Sequence, residues 1–286
     1  MADRKQLETL IKNMGELPTL PSVFSTVSRM LSDPRTSAVD VGNAVSNDQV
    51  IASKILKVAN SAFYGLTGRV NTVSHAIAVL GFSSTKNIAL TTSVLSTLNL
   101  KTPVKGFNLV AFWKHSAAVG AIAKLTAKEV NPQKQEEAFV AGLLHDIGKL
   151  VLAICSPEDF ARCINFALNN NCLFLDAENE LLGANHTDIA AWVNDRWKLP
   201  ADFAAVLKNH HKSVKVSGEH AGLVAIVKFA DILARGLQLG HACDNSMPIL
   251  EDEVWNLLKM TPQKLDTILA ASNGAMLDSM VFVNSD

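Results

Sequence analysis

The stretch Ala138-Phe139-Val140-Ala141-Gly142-Leu143-Leu144-His145-Asp146-Ile147-Gly148-Lys149-Leu150 decides how this chain is read. Its apolar run lacks the period-two alternation of a half-buried strand, and it ends on two ionisable residues. Outward from it, apolar residues recur at intervals of three and four almost everywhere, which is the spacing of amphipathic helices. Upstream, the spacing predicts helices on the stripes Leu7-Leu10-Ile11-Met14, Val23-Val27-Met30-Leu31 and Val50-Ile51-Ile55-Leu56-Val58. A short helix through Val73, Ile77 and Leu80 is expected to end at Gly81, with Ser83 capping a longer one to Leu98. A long helix from about Asn108 to Val130 stops at Asn131-Pro132. Downstream, Ser156-Pro157-Glu158-Asp159 is a helix start, with a hydroxyl cap and proline at the first helical position. Pro200 and Pro262 open helices in the same way, and Glu219 to Leu239, apolar on most faces, is expected to be central. The fold class is all-α.

The chain has 286 residues, 48% hydrophobic and 19% charged, enough apolar material for a sizeable core and for more than one domain. The break at Lys101-Thr102-Pro103-Val104-Lys105-Gly106 suggests an N-terminal helical subdomain over 1–105. A helical core over 106–240 and a C-terminal helical extension over 241–286 complete the expected division. A formal charge of -1 supplies no whole-protein field for DNA or an anionic membrane. The start, Met1-Ala2-Asp3-Arg4-Lys5-Gln6, is charged and lacks the apolar centre of a signal peptide. Cys155, Cys163, Cys172 and Cys243 show no Cys-x-x-Cys spacing, so they read as free thiols in a reducing compartment. A cytoplasmic protein without membrane or DNA partners is expected.

Chemistry gathers on histidine. His115, His145-Asp146, His186, His210-His211 and Asp231 form an ordered series of imidazoles and carboxylates, the usual ligands of Zn, Fe, Mn or Ni. Each also has a plainer reading. His115 lies among apolar neighbours and could be a core residue, and His186 could cap its helix or face solvent. His210-His211 ends a helix, where a cationic imidazole is favourable, and His145-Asp146 could simply end another. Asp231 interrupts an apolar helix, so its carboxylate needs a cation, either Arg235 one turn on or a metal. Lys149, one turn past His145, could meet a phosphate.

The same series is what the HD superfamily of metal-dependent phosphohydrolases uses, and the first half narrows the likeness to the HDOD family. Leu17-Pro18-Thr19-Leu20-Pro21, Leu31-Ser32-Asp33-Pro34 and Ala59-Asn60-Ser61-Ala62-Phe63-Tyr64-Gly65 resemble that family. So do Ala76-Ile77-Ala78-Val79-Leu80-Gly81, Gly142 to Leu150 and Trp197-Lys198-Leu199-Pro200. The resemblance implies an N-terminal helical subdomain packed on an HD-type bundle, in a bacterial signalling protein. It implies one or two divalent ions (Fe, Mn, Zn, Ni or Mg). His115, His145, Asp146 and Asp231 would hold one ion, and His186, His210 and His211 a second, with Asp146 bridging. Asp146 and Lys149 would serve catalysis, Lys149 on a phosphate oxygen of a phosphate ester or nucleotide.

Two departures bear on the substrate. Lys212-Ser213-Val214-Lys215 follows the paired histidines where the HD-GYP phosphodiesterases carry Gly-Tyr-Pro, and Ala111 stands where they can carry a glutamate. Both disfavour cyclic di-GMP hydrolysis. The alternative to an enzyme is a regulatory or protein-interaction module with a signalling partner.

Overall fold

The apolar spacing resolves into helices in a computed structural model that describes residues 4–13, 22–30, 33, 35–66, 68–98, 100 and 102–283. In chain order they are α1 (Arg4–Asn13), α2 (Ser22–Met30), α3 (Ala38–Ser46), α4 (Gln49–Ala59) and α5 (Val73–Thr97). There follow α6 (Leu109–Val130), α7 (Gln135–Leu144), α8 (Ile147–Cys155), α9 (Pro157–Asn170) and α10 (Phe174–Leu182). The last are α11 (His186–Trp197), α12 (Ala201–Asn209), α13 (Ala221–Gly236), α14 (Asp252–Leu257) and α15 (Pro262–Ser279). No strand occurs among the described residues, as expected for an all-α chain. Leu17-Pro18-Thr19-Leu20-Pro21, Met14-Gly15, Leu31, Ser32, Pro34 and Lys101 lie outside the described residues.

The chain divides into two compact units, 18–97 with 277–286, and 1–17 with 98–276. The division expected from the sequence break, 1–105, 106–240 and 241–286, follows chain order, whereas these units group residues by contact. The first helix joins the larger unit because Leu7 and Ile11 are buried there and Arg4 reaches α11. The Arg4 guanidinium lies 3.1 Å from Asp188 and over the Trp192 ring.

In the smaller unit, α3 and α4 pack on α5 through Val41, Val45, Ile55, Val58 and Ile77. Each such burial contributes roughly 1.5–3 kcal/mol. Asn60, just past α4, donates through Nδ2 to the Leu56 and Val70 carbonyls and accepts the Val70 N–H. That closure explains the asparagine in Ala59-Asn60-Ser61. The helix end expected at Gly81 is borne out, since its backbone (φ 80°, ψ 167°) divides α5 into two helical stretches; the cap expected at Ser83 is not, because Ser83 lies inside the second stretch. Likewise Ser156 makes no cap bond; its hydroxyl donates instead to Asp159 at 2.8 Å.

In the larger unit the helices that matter to the site approach closely because small residues let them. A Cβ on Gly120 of α6 would lie 2.9 Å from the Phe139 carbonyl, and one on Gly142 of α7 2.8 Å from the Val119 carbonyl. At Gly148 of α8 it would lie 2.0 Å from the carbonyl of His186, the first residue of α11. The segment Pro132–Cys155 is apolar enough by composition to cross a membrane, with mean hydropathy 1.8, but 89% of its most apolar window is buried within the protein. It is also broken between α7 and α8. Eleven residues of α13 are buried, Asp231 among them.

The packing makes a contrast measurable by urea unfolding followed by circular dichroism. Gly142→Ala is expected to lose about 1–3 kcal/mol, because its methyl meets backbone of a facing helix. Gly222→Ala, where nothing lies within 4 Å, should be neutral or gain up to about 1 kcal/mol of helix propensity.

Candidate metal centre

His145 and Asp146 occupy the turn joining α7 to α8. A continuous helix would point their side chains about 100° apart. Here Asp146 leaves the helical region (φ −99°, ψ 13°), and the two heads converge, His145 Nε2 lying 3.2 Å from Asp146 Oδ2. His145 Nδ1 lies 2.7 Å from the Gly142 carbonyl. A carbonyl only accepts, so Nδ1 carries the hydrogen and Nε2 presents a lone pair. His210, at the end of α12, repeats the device: Nδ1 donates to the Val206 carbonyl at 2.9 Å, and Nε2 stands 3.7 Å from Asp146 Oδ1.

The other ligands arrive from three further elements. His186 opens α11 with Nε2 3.3 Å from Asp146 Oδ1, and its Nδ1 lies 2.5 Å from Glu178 Oε2. The helix is capped by Asn185 and Asp188, so the His186 ring neither caps nor faces solvent. His211 Nε2 sits 3.0 Å from His186 Nε2. From α6, His115 Nε2 lies 3.1 Å from Asp231 Oδ1 of α13, and His145 Nε2 lies 3.9 Å from the same oxygen.

These residues form two groups, His115-His145-Asp146 and Asp146-His186-His210-His211, whose ligand atoms within each group all lie within 4.8 Å of one another. Asp146 belongs to both. The expected series therefore converges, and Asp231 reaches the first group through both of its imidazoles. Nε2 of His115, His145 and His210, and Oδ1 of Asp146, are buried without a hydrogen bond. Leaving such groups unmet costs about 1–3 kcal/mol each, and converging lone pairs call for a cation rather than another donor. The residues present fit divalent metal ions.

Electrostatics prepares the same ligand state. Burial holds the imidazoles of His115, His186, His210 and His211 below the ordinary range, in the neutral form that binds metal. For His145 burial is again the largest single effect and lowers it, but the charge and hydrogen bond of Asp146 together with the Asp231 charge outweigh it and lift it. Burial alone would raise Asp146, yet His145 and Lys149 hold it well below the carboxylate range. Arg235 does the same for Asp231, again against burial.

Lys149, the residue expected to meet a phosphate, lies against Asp146. Its ammonium is fully buried and bonded to Asp146 Oδ2 at 2.6 Å and to the Ala242 carbonyl at 3.1 Å. For Asp231 the structure shows the arginine partner, with Arg235 Nε donating to Oδ1 at 3.0 Å on the oxygen that faces His115. Sequence reasoning missed Glu178, although an acid in register with the buried Phe174, Ala177 and Leu182 was a usable signal. It also missed Asp244, which accepts from Arg235 Nη1 at 2.8 Å and from the Phe174 amide at 2.9 Å. His220 and His241 lie outside the two groups and pair with Asp202 and Asn245. All four cysteines are free thiols.

Comparison with known proteins gives the family and the fold. The sequence pattern of the HDOD domain matches residues 17–213. An HDOD domain protein of unknown function from Geobacter sulfurreducens is 26% identical, with TM-score 0.72, covering 99% of this chain and 91% of that one. A Shewanella amazonensis structure described as "Putative phosphohydrolase" is 23% identical, with TM-score 0.70, covering 96% and 98%. An uncharacterized Treponema pallidum (strain Nichols) protein is 23% identical over 82% of this chain, which spans only 45% of that relative's length.

Two outcomes follow. Elemental analysis should find up to two ions per chain, fewer in His145→Ala and His211→Ala, and none in Asp146→Ala; Glu178→Gln should weaken metal affinity roughly 10–100-fold. The metal-free protein should lose stability as pH falls below about 6.5, where the unfolded chain takes up protons that the four depressed histidines refuse, while the raised His145 and Glu178 offset part of that loss. Asp146 and Asp231 extend that loss to lower pH. Urea midpoints measured between pH 8 and 5 check the sign.

Proposed function

The chain belongs to the HDOD domain family, and we propose that it is a bacterial signalling protein that holds two divalent ions and hydrolyses a phosphate ester with them. One observation carries this reading: the two ligand groups share a single buried carboxylate, Asp146. His115, His145, Asp146 and Asp231 would hold one ion; Asp146, His186, His210 and His211 the other. Imidazole predominates, which favours Fe, Mn, Zn or Ni over the all-oxygen preference of Mg.

When bound, such a pair supplies an activated water and positive charge opposite the phosphoryl oxygens. The protein's part is orientation. Glu178 and the carbonyls of Gly142 and Val206 aim three imidazoles by their Nδ1 atoms. Lys149 and Arg235 hold Asp146 and Asp231 in the charged form and restrain their rotation. The reaction class named for the Shewanella structure is the same; at its level of identity the likeness carries the fold, and the ligand geometry carries the chemistry.

A second reading has its own observation. His115, His145, Asp146, His186 and His210 are all at most 1% exposed, and only His211 is half-buried. A centre so enclosed suits a module that holds metal to set its shape for a signalling partner, without turnover. Its unpaired thiols suit the cytoplasm under either reading.

Turnover separates the two. Metal-loaded protein assayed on phosphomonoesters, phosphodiesters and nucleotides should release product, and Asp146→Asn should lower the rate at least about a hundredfold. Metal content without turnover on any substrate would favour the regulatory module, and turnover unchanged in Asp146→Asn would remove this centre as its source.

A further inference from the structure

A cavity of about 460 Å³ lies beside the metal centre, walled by His115, Arg235 and the segment from Gln238 to Met247 that follows α13. This segment lies beyond the part of the chain that matches the HDOD pattern. Its volume falls in the range of small-molecule pockets.

The wall is held rigidly. A Cβ on Gly240 would lie 2.1 Å from the His115 backbone nitrogen, so only glycine permits this approach to α6. The His241 amide donates to the Ala111 carbonyl at 3.0 Å. The Ala242 carbonyl accepts from Lys149, and the Ser246 carbonyl accepts from Arg235 Nη1 at 3.1 Å. Asp244 joins Arg235 to the amide of Phe174. A pocket pinned at so many points needs little ordering when a ligand enters.

Arg235 shows what the pocket would take. Its side chain is 6% exposed, with Nε on Asp231 and Nη1 on Asp244 and Ser246, while Nη2 makes no hydrogen bond. Asn245 Oδ1 faces His241 Nε2, which leaves its amide NH2 available. Two donors without acceptors on one polar wall match the oxygens of a phosphoryl group. Asp146, Asp231 and Asp244 face Lys149, Arg235 and the lifted His145 imidazole, so the bare protein offers no net positive charge here, and a bound divalent ion would supply it.

We infer that this cavity is a phosphate-binding pocket, in which Arg235 and Asn245 hold a phosphoryl group of the substrate once metal is bound. The inference rests on the metal reading above and adds where the substrate is held. Calorimetric titration of Mn²⁺-loaded protein with inorganic phosphate tests it, with manganese content measured in every sample. Loaded wild-type protein should bind phosphate, and the metal-stripped protein should bind at least about tenfold more weakly. Asn245→Ala, which touches no ligand residue, should lose about tenfold at full manganese content, and so should Arg235→Lys. If Arg235→Lys loses metal, Asn245→Ala decides. Phosphate bound equally by loaded wild type and Asn245→Ala would place the anion on the ions alone and overturn the pocket, as would absence of binding to the loaded wild type. Failure to take up manganese would instead remove the metal reading, and this inference with it.

Discussion

The arrangement of the larger unit turns on one buried carboxylate. Asp146 is 1% exposed, yet it is held in its charged form by His145 and Lys149 on one oxygen while the other faces His186 and His210 without a hydrogen bond. A charge removed from water is costly unless partners surround it. Here the partners are imidazoles whose own burial keeps four of the five neutral. Such a set leaves several polar atoms unmet within the protein and fits a divalent metal ion. The outer contacts support that reading, because Nδ1 of three rings is engaged by a carbonyl or by Glu178, leaving Nε2 to face the centre.

Close helix approach makes this convergence possible. The α6 and α7 backbones meet at Gly120 and Gly142, and α8 meets the start of α11 at Gly148. Those contacts set the distances between His115, His145, Asp146 and His186. A larger side chain at any of these glycines would move ligands as well as helices. Protein interiors transmit such displacements because they are close-packed, so stability and metal affinity are linked in this unit.

Much of this was legible in the sequence, and the reasons differ by residue. His145-Asp146 follows an uninterrupted apolar run, and Asp231 interrupts one, so burial of both could be read from the neighbours. Arg235 was legible as a partner of Asp231, and the oxygen it bonds also faces His115, so an arginine partner and a place beside the imidazole cluster do not exclude each other. Glu178 shares α10 with the acids Asp176 and Glu180, which obscured its register with buried residues. The 240–246 segment has no periodicity, and it acts largely through backbone carbonyls that any residue supplies. The break at Gly81 was legible from the glycine itself, but Ser83 falls inside the helical stretch that follows it, and the Ser156 hydroxyl turns to the Asp159 carboxylate instead of the backbone. Discontinuous units escaped the reading because packing partners such as Arg4 and Asp188 are far apart in the chain.

The shared carboxylate gives the account its most direct test. Electron paramagnetic resonance of protein loaded with two equivalents of Mn²⁺ reports whether the ions sit as neighbours. Wild-type protein should show an exchange-coupled pair, and the Asp146→Ala protein only the signal of free aqueous Mn²⁺. A magnetically isolated six-line signal from fully loaded wild-type protein would contradict the account.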